Sequence, residues 1–157
     1  MKKLLLSFIL LFMVFSAVNA QDLETYTWEQ WGVSFKIPAQ IEEVENTEYS
    51  FIAENEEFAI SVEAVDYEGA TIDDIAEFLV YLGDQYGLSD ALDAEVDLLS
   101  IGGFEGLYLE GTIDEGVIMC VAILLDSSSD LALAIRIIYL EGQEETCTNI
   151  INSFSKE

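Results

Sequence analysis

Histidine is absent from the sequence, and this absence excludes the commonest catalytic arrangements. Without an imidazole there is no Ser-His-Asp triad and no Cys-His pair, and a zinc site would lack its most frequent nitrogen ligand. Three serines occur together at 127–129, in a polar segment typical of a hairpin turn, and we expect no lysine nearby to act as a base. Paired carboxylates could cleave glycosides only if one of them had a raised pKa. We therefore predict a protein that is not an enzyme and has no cofactor.

Basic residues are also scarce, with five lysines and arginines against 31 aspartates and glutamates, which gives a formal net charge of −26. A chain of this charge repels nucleic acid and anionic membrane surfaces, so neither is expected as a partner. The acids alternate with apolar side chains rather than forming blocks, which is typical of a folded protein with an acidic surface. The charge favours cations, a basic protein partner, or plain solubility in a salty medium.

The first twenty residues, MKKLLLSFILLFMVFSAVNA, have the three-part pattern of a secretory signal peptide. Lys2 and Lys3 precede an apolar run that continues to Val14, and small residues follow. The apolar run is too short to predict a membrane-spanning helix, so we expect cleavage after residue 20 and no membrane insertion afterwards. The mature chain, 21–157, would be one domain in the periplasm or outside the cell, with three bases, 31 acids and a net charge of −28.

The two cysteines, Cys120 and Cys147, both fall in the part of the chain that is expected to be exported. An oxidising compartment favours a disulfide between them. The bridge would close a loop of roughly 28 residues and contribute about 3 to 4 kcal/mol. Two buried reduced thiols are the main alternative, and a zinc or nucleophilic site is a third, which the lack of histidine disfavours.

The hydrophobic pattern predicts three strands and then a helix in the first half of the mature chain. Strands are predicted over 33–37, 49–53 and 58–65. The first of them ends at Pro38, the single proline. Thr71 is expected to cap the helix, with Asp74 as its partner in a capping box, and Gly83 or Gly87 to end it. The apolar stripe of this helix must pack on a sheet.

The second half predicts four more strands and a last helix. The strands are expected over 94–101, 107–113, 117–125 and 131–140. Their short connections require antiparallel neighbours, and the last two are apolar on both faces, so helices should cover both sides of the sheet. The glycines of GGFEG, at 102–106, fit a tight hairpin with positive φ rather than a phosphate loop. Cys147, Ile150 and Phe154 recur at helical spacing, which places Cys147 above the core-facing Cys120.

This order of elements resembles that of the PsbP-like superfamily over nearly the whole mature chain. The segments that carry the resemblance are SFKIP in the first predicted strand, IGGFEG between two strands, and INSF at the end of the last helix. The resemblance implies an α+β fold, an α/β/α sandwich with an antiparallel sheet of about six strands and helices on both faces. It implies no particular activity, because members serve as assembly factors or binding modules. The metal-associated histidines of some photosynthetic members have no counterpart here.

The segment EYSFIAENEEFAISVE, 48–63, contains five carboxylates and no base. Strand phasing places Glu57 and Glu63 on the outer face and Glu54 and Glu56 in a turn, so we interpret these acids as a solvated coat. The alternative is weak calcium binding by Glu54, Glu56 and Glu57 together with Asn55, although no Asp-x-Asp-x-Asp-Gly loop is present.

Arg136 and an aromatic trio are further candidates. Arg136 lies in an otherwise apolar predicted strand, where we expect it to pair with an acid such as Glu110 or to extend to the sheet edge. An anion-binding guanidinium is the alternative. The aromatic trio, Tyr26, Trp28 and Trp31, precedes the first predicted strand and is expected to close the end of the core, with an exposed binding patch as the alternative.

These observations favour an exported, non-enzymatic accessory or binding protein whose partner is another protein, with envelope assembly as one such role. The alternative is an acidic inhibitor or immunity-type protein that binds a basic protein, in which electrostatic steering accelerates capture.

Overall fold

The structure, a computed structural model, describes residues 22–67, 69–88 and 97–157; within the last range, it describes only the backbone of Asp97. The predicted signal peptide, 1–20, and the start of the strand predicted over 94–101 lie outside these residues. The described strands are β1 Leu23–Trp28, β2 Val33–Pro38, β3 Glu42–Asn46, β4 Ser50–Glu54, β5 Phe58–Asp66, β6 Asp97–Ile101, β7 Phe104–Asp114, β8 Val117–Asp126, β9 Leu131–Leu140 and β10 Ser155–Lys156, and the helices are α1 Ile72–Tyr86 and α2 Glu144–Ile151. Within the described ranges, no helix has the length and apolar character needed to cross a bilayer.

The strands form two antiparallel sheets. The large sheet has seven strands in the order β3-β4-β5-β9-β8-β7-β6, and the small one has three in the order β1-β2-β10. This confirms the predicted α+β class with a large antiparallel sheet. The sequence predicted one sheet of about six strands, whereas the first predicted strand, β2, belongs to the separate small sheet.

Two core clusters lie on opposite faces of the large sheet, as predicted from the strands that are apolar on both faces. On one face, Ile75 and Leu79 of α1 pack against Val121 and Ile123 of β8. On the other face, the small sheet and α2 cover a larger cluster; this cluster includes Phe35, Phe51, Phe58, Cys120, Leu124, Ile135, Ile137, Cys147, Ile150 and Phe154. The central strands β8 and β9 are apolar on both faces, apart from Asp126 at the end of β8 and Arg136 in β9, because each contributes to both clusters.

Helix α1 begins as its sequence predicts. The backbone N–H of Asp74 donates to Oγ1 of Thr71 (3.3 Å), and the N–H of Thr71 donates to Oδ2 of Asp74 (2.9 Å), which completes the capping box. The hydroxyl of Thr71 also donates to Oδ2 of Asp74 (2.6 Å), and this bond, followed by the one from the N–H of Thr71, lowers the pKa of Asp74 below its ordinary value. Gly83 is buried inside the helix, and Gly87 in the left-handed conformation is the C-cap.

Candidate functional site

Four polar side chains from four elements meet beneath α2, and we call them the thiol–carboxylate cluster: Glu110, Cys120, Tyr139 and Cys147. Glu110 of β7 lies directly opposite Cys120 of β8, and Cys147 comes down from α2. The two sulfur atoms and a carboxylate oxygen of Glu110 all lie within 4.8 Å of one another. The phenol of Tyr139 donates to Oε2 of Glu110 over 2.6 Å. Both thiols are buried, whereas Glu110 extends to the surface.

The surroundings raise the pKa values of two buried members of this cluster, Cys120 and Tyr139. The hydrogen bond with Cys147 raises the pKa of the Cys120 thiol well above its ordinary value, and burial and the negative charge of Glu110 raise it further. Burial raises the pKa of Tyr139 far above its ordinary value, and its hydrogen bond to Glu110 adds to the effect. The Cys120 thiol and the Tyr139 phenol are therefore held in their neutral forms.

A small opening connects the cluster with the surface. It has a volume of about 80 Å³ and is lined by Glu110, Cys120, Cys147 and Asn152, with Leu99, Tyr108, Thr148 and Ile151 around them. This volume exceeds the roughly 10 to 15 Å³ that a cavity needs to hold one water molecule, so a water or a single ion fits. The structure brings Cys120 and Cys147 together, on the facing surfaces that their positions in the sequence predict; the disulfide itself stays a prediction.

A second candidate is an exposed row of acids, which we call the acidic edge: Glu42, Glu43 and Glu45 of β3 with Glu48 and Glu54 beside them. Strand β3 is the outer strand of the large sheet, and all five of its residues are exposed. Val44 and Tyr49 lie among these acids and are each 59% exposed. The edge therefore presents apolar groups surrounded by negative charge.

The described turn at 54–57 does not bring its carboxylates together into a cation site. Oδ1 of Asn55 accepts the backbone N–H groups of Glu57 (2.9 Å) and Phe58 (2.8 Å), and Glu57 accepts a hydrogen bond from Gln143 (3.0 Å). Glu54 and Glu56 are exposed, as the predicted coat requires. Among the described residues, the carboxylates of this turn do not form a set of three with oxygens within 4.8 Å. Weak calcium binding stays a prediction.

Arg136 does not pair with Glu110, and that expectation is wrong. Its Nη1 donates to the hydroxyl of Tyr86 over 3.2 Å, and its guanidinium lies 5.8 Å from the centre of the same ring. In the register of the large sheet, Arg136 lies opposite Val121, which packs against α1, whereas Glu110 lies on the α2 face. The side chain therefore fastens the end of α1 to β9 through a cation–π contact.

The aromatic trio mainly belongs to the core, as expected, but Tyr26 and Trp28 lie within β1 rather than before the first strand. Trp28 is 3% exposed and donates from Nε1 to the carbonyl of Thr47 (3.3 Å). Trp31 is half-buried and donates to the carbonyl of Glu48 (2.7 Å). These bonds connect the small sheet to the turn between β3 and β4.

The serine turn has a lysine close to it in space, which corrects the expectation that none is near. Nζ of Lys156 lies 2.6 Å from Oγ of Ser128 and 2.6 Å from Oδ2 of Asp126, which also accepts from Ser129. Nζ of Lys156 therefore acts here as a donor to the oxygens of the turn. Burial alone would raise the pKa of Asp126, but Lys156 and the turn serines outweigh it and hold that pKa well below its usual range.

Replacing Asp126 with asparagine is expected to lower the free energy of unfolding at neutral pH by about 1 to 3 kcal/mol. Because the folded-state pKa of Asp126 is depressed, the stabilisation is present above the ordinary value of 3.8 and is lost as the pH falls below it. The difference in unfolding free energy between wild type and Asp126→Asn should therefore shrink below about pH 4. Urea unfolding from pH 7 to pH 2 measures it, and a difference that stays constant would contradict the assignment.

The fold is the PsbP-like fold. One similar solved structure is the cyanobacterial PsbP protein, CyanoP, of Synechocystis sp. PCC 6803, with a TM-score of 0.60 at 13% identity over 90% of this chain and 96% of that one. Another is the Ran-binding protein Mog1p of Saccharomyces cerevisiae, with a TM-score of 0.54 at 10% identity over 87% of this chain and 96% of that one. Neither a protein-family model nor a curated protein sequence matches the chain.

Proposed function

We propose that the protein is exported after cleavage at residue 20 and acts as a non-enzymatic binding protein whose acidic edge holds a basic surface of another protein. The observation that carries this proposal is the position of Glu42 and Glu54. They lie directly opposite each other in the β3-β4 pair, and both are exposed. Like charges in this position repel and cost roughly 0.2 to 1 kcal/mol, which the contact with a cationic surface would recover.

No base lies in the acidic edge to offset this repulsion. Between described residues, the one ion pair joins Lys156 and Asp126, and Arg136 is engaged by Tyr86. A surface of one sign that the fold leaves uncompensated attracts an oppositely charged protein and accelerates its association. The charge therefore supports a basic partner over a neutral one.

The acidic edge also has the composition of an interface. Tyr49 and Val44 are exposed among its acids, and tyrosine is enriched where the binding energy of an interface is concentrated. Trp31 fixes the neighbouring turn through its bond to the carbonyl of Glu48, and its ring lies 6.4 Å from that of Tyr49. A turn that is already ordered loses less entropy on binding.

The solved neighbours support a binding role without naming the partner. Mog1p is a Ran-binding protein, so a PsbP-like scaffold can serve to bind another protein. An accessory role in envelope assembly and the inhibition of a basic protein share this binding step. A different explanation of the same acids is protection of an outer strand against aggregation, which requires no partner.

Replacing Glu42 with glutamine is expected to stabilise the free protein by roughly 0.2 to 1 kcal/mol, because it removes the repulsion with Glu54. Glu63→Gln is the matched control, since Glu63 is exposed and lies opposite Ser50 and Ala134, which carry no charge. Urea unfolding of the two variants and the wild type measures the difference. Equal stabilities for all three would contradict the proposed repulsion.

Affinity capture tests the binding role. The protein should retain a basic protein at physiological salt and release it at high salt, because exposed charges are screened. A triple variant of the edge, Glu42→Gln, Glu43→Gln and Glu45→Gln, should lose this protein. A control that removes three exposed acids elsewhere, Glu77→Gln, Asp84→Asn and Glu115→Gln, should retain it. Equal retention by both variants would exclude the acidic edge as the binding surface, and protection against aggregation would then explain it better.

A further inference from the structure

We propose that the thiol–carboxylate cluster, with both cysteines reduced, binds one Zn²⁺ ion through Cys120, Cys147 and Glu110. The lack of histidine disfavours a zinc site, but sulfur and carboxylate oxygen are both zinc ligands. In the described residues, this is the one group of three such side chains whose ligand atoms lie within 4.8 Å of one another.

The spacing of the ligand atoms suits a tetrahedral ion. With zinc–sulfur bonds of about 2.3 Å, two sulfur ligands lie roughly 3.8 Å apart, and a sulfur and an oxygen lie slightly closer. The upper limit of 4.8 Å between the cluster's atoms is compatible with these values after small side-chain movements. Each thiol releases its proton to the solvent as it coordinates the metal. The two thiolates and the carboxylate then carry one negative charge more than is needed to neutralise the ion.

The carboxylate is already held in place by a neighbour. Tyr139 donates to Oε2 of Glu110 over 2.6 Å, and Tyr139 itself is 1% exposed and stacks on Phe58. Ligating carboxylates are generally fixed by such outer hydrogen bonds, and loss of the outer partner typically weakens metal affinity 10- to 100-fold. Tyr139 is therefore a positioning residue of the zinc site.

The opening of about 80 Å³ gives the ion a path from the solvent, because Glu110, Cys120 and Cys147 all line it. Three protein ligands leave the fourth tetrahedral position for a water molecule in this opening, with Asn152 and Thr148 at its wall. A disulfide between the same cysteines removes both thiolate ligands, so zinc binding belongs to the reduced protein and the bridge to the oxidised one.

Titration of the reduced protein with Zn²⁺ in competition with a chromophoric chelator tests this site. One ion should bind per chain, and Cd²⁺ should give sulfur-to-metal charge-transfer absorption, which requires thiolate ligands. Cys147→Ser should abolish binding, Glu110→Gln should weaken it at least about 10-fold, and Tyr139→Phe should weaken it about 10- to 100-fold.

Two controls keep the experiment decisive. Glu63→Gln, on the opposite face of the sheet, should bind zinc like the wild type, and the oxidised protein should bind none. Glu110 extends to the surface, so Glu110→Gln can be expected to fold, and thermal unfolding confirms it. Equal affinity of the oxidised and reduced forms, or an unchanged affinity of folded Glu110→Gln, would overturn the proposal.

Discussion

Replacing Gly102 with alanine is expected to lower the free energy of unfolding by roughly 2 to 6 kcal/mol, and it does so for two reasons that add. Gly102 has a φ of 54°, where a side chain strains the backbone. A Cβ atom at this position would also lie 2.0 Å from the carbonyl oxygen of Phe154, a backbone atom that cannot turn aside. The chain from Phe154 onward must then move away, which breaks the bond from the N–H of Lys156 to the carbonyl of Gly102 (3.0 Å).

Gly116→Ala is the matched control for this effect. Gly116 has a φ of 74°, but nothing lies within 4 Å of the Cβ position, so alanine there meets the backbone strain alone. Gly116→Ala should therefore lower the free energy of unfolding by about 1 to 2 kcal/mol. Urea unfolding of both variants separates the strain from the steric contact. If the two variants lose the same free energy of unfolding, the close approach of the C-terminal segment to Gly102 does not contribute to stability.

The sequence predicts the hairpin between β6 and β7, and most of the strands, because each has a recognisable pattern in its own residues. Glycines at 102 and 103 indicate the turn, and the apolar runs of β8 and β9 indicate strands buried on both faces. Strand β3 carries no such signal, because all its side chains are exposed and three of its five residues are glutamates. This segment is a strand because its backbone pairs with β4. A pattern of buried side chains cannot reveal such pairing.

The thiol–carboxylate cluster was only half predictable, and a β-bulge explains why. Beside the turn, Asp114 pairs with Val117, and this register continued along the hairpin would place Glu110 opposite Val121 on the face of α1. A register shift between Thr112 and Asp114 instead places Glu110 opposite Cys120. A one-residue shift moves a side chain to the other face of the sheet. The same shift explains why Arg136, opposite Val121, fails to meet Glu110.

Oxidation of Cys120 and Cys147 to a disulfide is expected to raise the free energy of unfolding by about 3 to 4 kcal/mol, because the bridge restricts a loop of roughly 28 residues in the unfolded chain. The structure supplies the required proximity, since both sulfur atoms are buried and lie within 4.8 Å of each other. Urea unfolding of the oxidised and the reduced protein measures the difference. A count of free thiols on denatured, unreduced protein shows which form is present.

The double variant Cys120→Ala and Cys147→Ala is the control for other effects of the reductant. Its free energy of unfolding should be the same with and without reductant. Two free thiols in protein isolated under oxidising conditions, or equal stability of the two wild-type forms, would contradict the predicted bridge. The bridge and the proposed zinc site compete for the same sulfur atoms, so saturating Zn²⁺ should stabilise the reduced protein and leave the oxidised one unchanged. An oxidised chain would thus be held by the bond between α2 and β8, and a reduced chain by the metal between them.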